Sequence, residues 1–499
     1  MKKSMIIVGA GIAGLSTGCY AQLNGYQSTM FEMHSIPGGL CTAWKRKGYT
    51  FDLSMHFLAG SRSGPLYKMW QELGVMENQQ FHYHNEIAHV EGLHKSLTLC
   101  TDPSRLLDQL ITLSPADAKL SQELVRLVTG RGMMGAMSLK PSELSGVFDQ
   151  LKMFLAILPH MGMLGRCGNK TFQEFTQGFQ DSFVRDAVRF LVDGPDWPMQ
   201  RFPMSGMAGI MNAAVTEAGV PLGGSQRVVF RIADKFQALG GEIIYNQRVK
   251  DVIIENDRAV GIRLEDGSEH RADTVVWAGD GHTVIFDILG GQYLDDRIRK
   301  MYKEWTLVQP LVHVSLGVAR DLSEQPHRFI FELEKPIPIA GQERRWICLR
   351  HRCFDPSMAP PGKSAAEVWY PTSYEYWEEL ARDRAQYEEE KHRIADVTIA
   401  ALDKRWPGLA SQIEVVDVAT PTTYVRYTGN WKGSPDGWYI TPENMMDQTP
   451  VRSLVGLSDF YMVGQWTVPF AGTVLAALSG RQLIELLCKQ DRRAFVTSA

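Results

Sequence analysis

"IIVGAGIAGL" (residues 6–15) follows "MKKSM" and admits two readings. A basic start, an apolar middle and the small-residue "CYA" at 19–21 mimic a secretion signal. A secretion signal has no use for glycines at 9, 11 and 14, whereas a dinucleotide-binding turn needs all three. Gly9 allows the tight turn out of a buried strand, Gly11 lets backbone N–H groups approach a pyrophosphate, and Gly14 lets the following helix pack on the strand. The backbone run Gly9, Ala10, Gly11, Ile12, Ala13, Gly14 then forms the phosphate cradle at the positive end of a helix predicted over 12–24. Asn24-Gly25 supplies its C-terminal cap.

The neighbouring sequence supports this reading. "QSTMFEM" (27–33) reads as the second strand, and Glu32 stands 21 residues beyond Gly11, where a carboxylate accepts from a ribose hydroxyl. A carboxylate there repels a 2′-phosphate, which disfavours NADP. A second glycine pair, Gly38-Gly39, follows almost at once, and "GYTFD" (48–52) reads as a hairpin strand. A plain NAD dehydrogenase would begin another helix here. A second glycine turn suits a longer ligand that runs past the pyrophosphate towards a flavin ring.

Composition narrows the classes. The chain has 499 residues, 44% hydrophobic and 22% charged, which is ordinary for a globular protein of two to four domain-sized units. A formal net charge of -4 gives no basic field for nucleic acid. Seven scattered cysteines make neither a disulfide framework nor a zinc site, so a reducing, cytoplasmic compartment is expected. No run of about 18 apolar residues predicts a spanning helix. The 22 Met and 12 Trp fit a large core or a long apolar substrate pocket.

On these motifs the chain resembles the bacterial-type phytoene desaturase, carotenoid isomerase and retinol saturase family of flavoproteins, within the amine-oxidase-like superfamily. Residues 223–281 resemble the second half of the family's FAD domain. They read as a helix over 226–239, strands around Asn256-Asp257 and Asp266-Gly267, and a last buried strand in "DTVVWAG" (273–279). "FYMVGQWTVPFAGTVLAALSGRQLIELL" (460–487) resembles the closing motif, a strand followed by a helix over 473–488. The resemblance implies FAD as cofactor. It implies binding by Met33 beside Glu32, by Leu40 after the glycine pair, by Ser54, Met55 and His56 after the "FD" strand, and by Val249 against adenine. At the far end it implies Gly279, Gly464, Gln465, Gly472, Thr473 and Val474, with the last helix directing its positive end at the flavin. Leu40 replaces a common Arg, Ser54 a common Gly, and "VPFAG" (468–472) a Pro-Gly-rich turn.

The expected fold class is α/β: a discontinuous Rossmann-type FAD-binding domain with an inserted α+β substrate or cap domain. The FAD domain is expected at 1–70, 205–290 and 455–499, and the cap at 71–204 and 291–454. Within the cap, "LVHVSLGV" (311–318) reads as a strand with one buried face, and residues 376–406 as one long amphipathic helix. Met-rich residues 133–165 are expected either in the core or at a substrate-channel mouth in peripheral contact with a membrane.

The expected chemistry is hydride exchange between a substrate C–H and flavin N5 in a dry pocket, on C–C or C=C bonds of a long apolar, isoprenoid or carotenoid-like molecule. One glycine fingerprint leaves the electron donor or acceptor open. His56 is the candidate acid/base residue, and Trp466, Tyr424 and Tyr427 are candidates for a substrate wall. Asp280 and His282 read as turn and capping residues. Two other functions fit the same pattern: an amine-oxidase-like enzyme releasing hydrogen peroxide, and a non-catalytic lipid-binding chaperone of the Rab GDP-dissociation-inhibitor kind.

Overall fold

The computed structural model describes residues 3–129, 138–158, 161–162, 165, 170–206, 218–445, 447, 450–468 and 472–498. Two large sheets organise them. The first is five-stranded and parallel throughout, in the order Phe460–Met462, Thr274–Trp277, Ser4–Val8, Gln27–Phe31, Glu242–Ile244. Both ends of the chain therefore lie in one sheet, with Val8 paired to Trp277 on one side and to Phe31 on the other. Helices cover this sheet, so its central strands Ser4–Val8 and Thr274–Trp277 are buried almost without interruption and do not alternate.

The first helix, Ile12–Leu23, is buried over nearly its whole length, and Asn24 caps it before Gly25. The closing helix, Gly472–Gln490, packs against it. Ser16 Oγ donates to Ala477 O at 2.6 Å, and a Cβ on Gly480 would stand 2.8 Å from Ala13 O, so only glycine allows this approach. The third helix against this sheet, Gly224–Ala238, ends before Gly240 as expected, and Ser225 and Arg352 both engage Asp52, the aspartate of "GYTFD". Tyr49–Asp52 pairs with Ala43–Arg46 as a hairpin. Val249–Glu255, Arg258–Leu264 and Glu269–Arg271 form a small antiparallel sheet.

The second large sheet has seven strands, in the order Ile413–Ala419, Leu311–Val318, Ser364–Pro371, Gln342–His351, Arg328–Ile339, Glu86–Glu91, Ser96–Cys100. It is antiparallel except where Arg328–Ile339 meets Glu86–Glu91.

Two expectations are corrected here. Leu311–Val318 is buried on both faces, because it is an inner strand with protein on each side. Residues 376–406 are not one helix. Tyr374–Leu380 ends, and Arg384–Arg405 begins under an Asp383 cap whose carboxylate accepts from Ala385 N at 2.9 Å. Of the Met-rich stretch, residues 133–137, 159–160 and 163–164 lie outside the described residues, as do Pro469, Phe470 and Ala471 of "VPFAG".

Candidate functional site

The parallel sheet opens a cleft at the carboxyl ends of its strands, the usual ligand position in such sheets. Counting its open mouth, the cleft measures about 1320 Å³, and the starts of both the first and the closing helix line it.

One end is marked by Glu32. Its Oε2 accepts from Ala10 N at 2.8 Å and its Oε1 from His34 N at 2.9 Å, which fixes the carboxylate while leaving each oxygen a further lone pair. Met33 and Val249 line the same end. Tyr427, expected at a substrate wall, stands here instead, its ring 5.6 Å from that of His34.

In the middle, Gly9 turns the chain with φ +99, and Gly11 bridges to Gly38. A Cβ on Gly14 would lie 2.0 Å from Gly9 O, so this position admits no side chain. Gly11 caps the first helix with extended backbone and no side-chain acceptor. The leading N–H groups of that helix thus have no side-chain cap among the described residues, and Gly11, Ile12 and Ala13 line the cleft.

The far end is formed by Gly464, Gln465, Trp466, Gly472 and Thr473, with Leu40 and Ser54 across from them. Gln465 Nε2 is buried without a hydrogen-bond partner among the described residues, and so is Trp466 Nε1. A buried amide donor left open in a cleft wall fits a ligand that brings acceptors. The polar groups suit an extended dinucleotide: a carboxylate acceptor for a hydroxyl at Glu32, helix amides for a pyrophosphate, and an amide and a helix start for the last ring system.

Among the residues expected to bind cofactor, Ala10, Gly14, Met55, His56 and Val474 are not in the lining; Gly39 and Gly279 are. Ala10 and Gly14 contribute through backbone shape. Met55 is buried with φ +65, a strained left-handed conformation for a side chain of this size. His56 faces Trp197 and Trp369 and accepts a hydrogen bond at Nδ1 from Arg350. Burial first, then Arg350, holds its pKa well below the usual histidine value. Tyr424 is buried and outside the lining.

Cys41, Asp436 and Asp280 are among the lining residues that sequence reasoning did not place in the cleft. Cys41 follows the glycine pair, and burial pushes its thiol up to about 12. Asp436 lines the far end, and burial raises its carboxyl to about 6. Asp280 caps Thr283 N at 2.7 Å as expected, accepts from Trp431 N, and also lines the cleft. "SPDG" (434–437) carries only a turn signal, so nothing local aims Asp436 anywhere.

Parallel sheet, glycine turn and acidic strand end define a protein with a Rossmann-type fold that carries a second, larger sheet. Residues 7–73 match the family described as NAD(P)-binding Rossmann-like domain. Along nearly its whole length the chain is similar to curated carotenoid enzymes. It is 24% identical to the chloroplastic prolycopene isomerase of Daucus carota over 95% of this chain and 78% of that one. It is 23% identical to the lycopene-forming phytoene desaturase of Pseudescherichia vulneris over 98% of this chain and 99% of that one. In fold it resembles the crystal structure of an oxidoreductase from Methanosarcina mazei, with a TM-score of 0.61 and 16% identity over 95% and 99% of the two chains.

Proposed function

We propose that the protein is an FAD-dependent oxidoreductase of the desaturase, saturase or isomerase type, acting on C–C or C=C bonds of a long apolar, isoprenoid-like substrate. The observation that carries this reading is the single cleft lined from Glu32 to Thr473 by both helix starts, in a chain similar end to end to phytoene desaturases and prolycopene isomerases. Glu32 would hold a ribose hydroxyl, Gly11 to Ala13 the pyrophosphate, and Gln465 with the start of the closing helix the polar edge of the flavin. Bound flavin supplies hydride exchange at carbon. The residues around it would bind and orient it, and buried Trp466 in the cleft wall would help to exclude water.

The substrate class also accounts for an unusual surface. On the helix Val147–Ile157, Val147 is 80% and Phe148 81% exposed, and Leu151, Met153, Phe154 and Leu155 are exposed too, with Lys152 among them. An apolar helix left open beside a lysine fits peripheral contact with a bilayer, where such substrates dissolve. No helix among the described residues is long and apolar enough to cross a membrane.

Purification tests the reading. The expected result is a yellow protein that bleaches with dithionite, releases FAD on denaturation and yields a polyene or isoprenoid on solvent extraction. A colourless protein that takes up no FAD overturns it. Peroxide release with amines, and no turnover of polyenes, replaces it with amine oxidation.

A further inference from the structure

The "SPDG" turn is built more firmly than a connecting loop requires. Ser434 is wholly buried, and its hydroxyl lies 2.9 Å from Val308 O and 3.0 Å from Gly437 O. Val308 N donates to Gly437 O at 2.8 Å, closing the turn from the other side. Gly437 has φ +67, and a Cβ there would stand 3.0 Å from Gln465 O, so the turn lies directly against the far wall of the cleft. Pro435 fixes the backbone just before Asp436. A turn held at both ends in this way presents one side chain, and that side chain lines the cleft.

Asp436 has no hydrogen bond or ion pair to any described residue. The other carboxylates of the cleft are engaged: Glu32 by Ala10 and His34, Asp280 by Thr283 and Trp431. Asp436 keeps part of its surface open, and the space it opens to is the cleft.

We propose that Asp436 is the proton-exchanging residue of the reaction, resting on the flavoenzyme reading given above. In reduction of a C=C bond, the Asp436 O–H bond breaks as a C–H bond forms on one carbon. The other carbon receives a hydride, an electron pair with one proton, from a two-electron donor of the flavin class. The carboxylate regains its proton from water. Desaturation runs the same balance backwards, with the carboxylate taking the proton. Isomerisation uses both halves with no net change.

The surroundings suit a group that must exist in both forms. Burial alone raises the Asp436 carboxyl to about 6, near the pH at which acid and base are both accessible. Cys41 lines the same cleft, and the Asp436 charge adds a small effect to the burial that keeps that thiol protonated. Glu32, Arg248, Asp280 and Tyr427 are the other titratable groups of the lining, and none of them perturbs Asp436.

The test uses the full-length protein reconstituted with FAD, as wild type, Asp436→Asn and Asp436→Glu. The absorption spectrum of the bound flavin is titrated from about pH 5 to about pH 8. A one-proton transition near pH 6 is expected in the wild type, absent in Asp436→Asn and moved in Asp436→Glu. Turnover of Asp436→Asn on a polyene is expected to fall by about 10²-fold or more, as for loss of a general acid or base. A transition of unchanged midpoint in the variants, or no transition in the wild type, overturns the proposal while leaving the flavin assignment intact. Failure of the wild type to hold FAD overturns the underlying reading instead. Should Asp436→Asn not fold, Asp436→Glu decides alone by whether the midpoint moves.

Discussion

Arg350 donates to Nδ1 of His56 at 2.9 Å, and this contact decides which ring nitrogen of the histidine carries its proton. Arginine has no acceptor, so Nδ1 must offer its lone pair and the hydrogen must sit on Nε2. Burial and the Arg350 charge both oppose a second proton. A ring held in this form can donate a hydrogen bond but has no free lone pair with which to take a proton. The imidazole nitrogen shifts of His56 should therefore report the neutral Nε2–H tautomer from pH 8 down to below its ordinary value of about 6.5. A ring protonated at pH 6 would sink this assignment.

Arg350 is itself held by Asp196, which is fully buried and also accepts from Arg328 Nη2 at 2.7 Å. Burial pushes the Asp196 carboxyl up, but the two guanidinium groups outweigh it and hold the group well below the usual carboxylate range. Asp196→Asn leaves two partly buried cations without their counter-ion. The expected loss is about 3–5 kcal/mol of stability, since breaking a buried pair strands charge in the interior. Urea unfolding would show it; a midpoint within error of the wild type would mean that water reaches the cluster.

Acid should weaken the fold through a second group. His84 and His327 stack with ring centroids 3.5 Å apart, and His84 Nε2 and His327 Nδ1 are buried without hydrogen-bond partners among the described residues, the nearest carboxylate oxygen, Glu86 Oε1, standing 4.0 Å from His327 Nδ1. Burial first lowers both, His84 to about 3. Above about pH 6.5 these rings are neutral folded or unfolded and contribute no pH dependence. Below it the unfolded chain binds protons that the fold refuses, so stability falls by up to about 1.4 kcal/mol per pH unit for each ring. Unfolding midpoints at pH 7.5 and pH 5 should diverge in the wild type and diverge less in His84→Phe, which removes one ring and leaves His327.

The exposed helix gives a surface prediction. Phe148→Glu with Leu151→Glu should reduce co-sedimentation with anionic lipid vesicles by about tenfold or more, because each change removes apolar contact and adds repulsion. Unfolding temperature should stay near that of the wild type, since both residues are at least half exposed. Equal vesicle binding by the double variant would remove the membrane reading.

The parts of this fold legible in the sequence were those set by local rules. Glycine spacing at 9, 11 and 14, an acidic strand end and glycine-terminated helices mark the parallel sheet and one wall of its cleft. What stayed hidden depends on partners far along the chain. Asp383 caps a helix from within a charged run that looks continuously helical. Leu311–Val318 shows alternation because His313 and Ser315 interrupt it, yet neighbouring strands bury both of its faces. Tyr427 meets His34, 393 residues away, at the Glu32 end of the cleft, and Asp436 reaches the cleft because Ser434 and Gly437 tie its turn to Val308. No periodicity carries such information.

Glu32 offers the most direct check on the cofactor. Its two oxygens already satisfy Ala10 N and His34 N, so the carboxylate shapes the glycine turn and, on the proposed reading, would also present acceptors to a ribose. Glu32→Gln keeps one acceptor oxygen and replaces the other with a donor, leaving one of these two N–H groups unpaired at a cost of about 1–3 kcal/mol. Glu32→Lys removes both acceptors and sets an ammonium against the backbone donors. Flavin affinity should therefore fall in order, by about 10-fold or more for Gln and further for Lys, read as the flavin-to-protein absorbance ratio after gel filtration. Gly14→Ala should lose flavin as well, through a displaced turn, because its new Cβ would stand 2.0 Å from Gly9 O. Full flavin occupancy in Glu32→Lys would place the ribose elsewhere and with it the orientation of the whole ligand in the cleft.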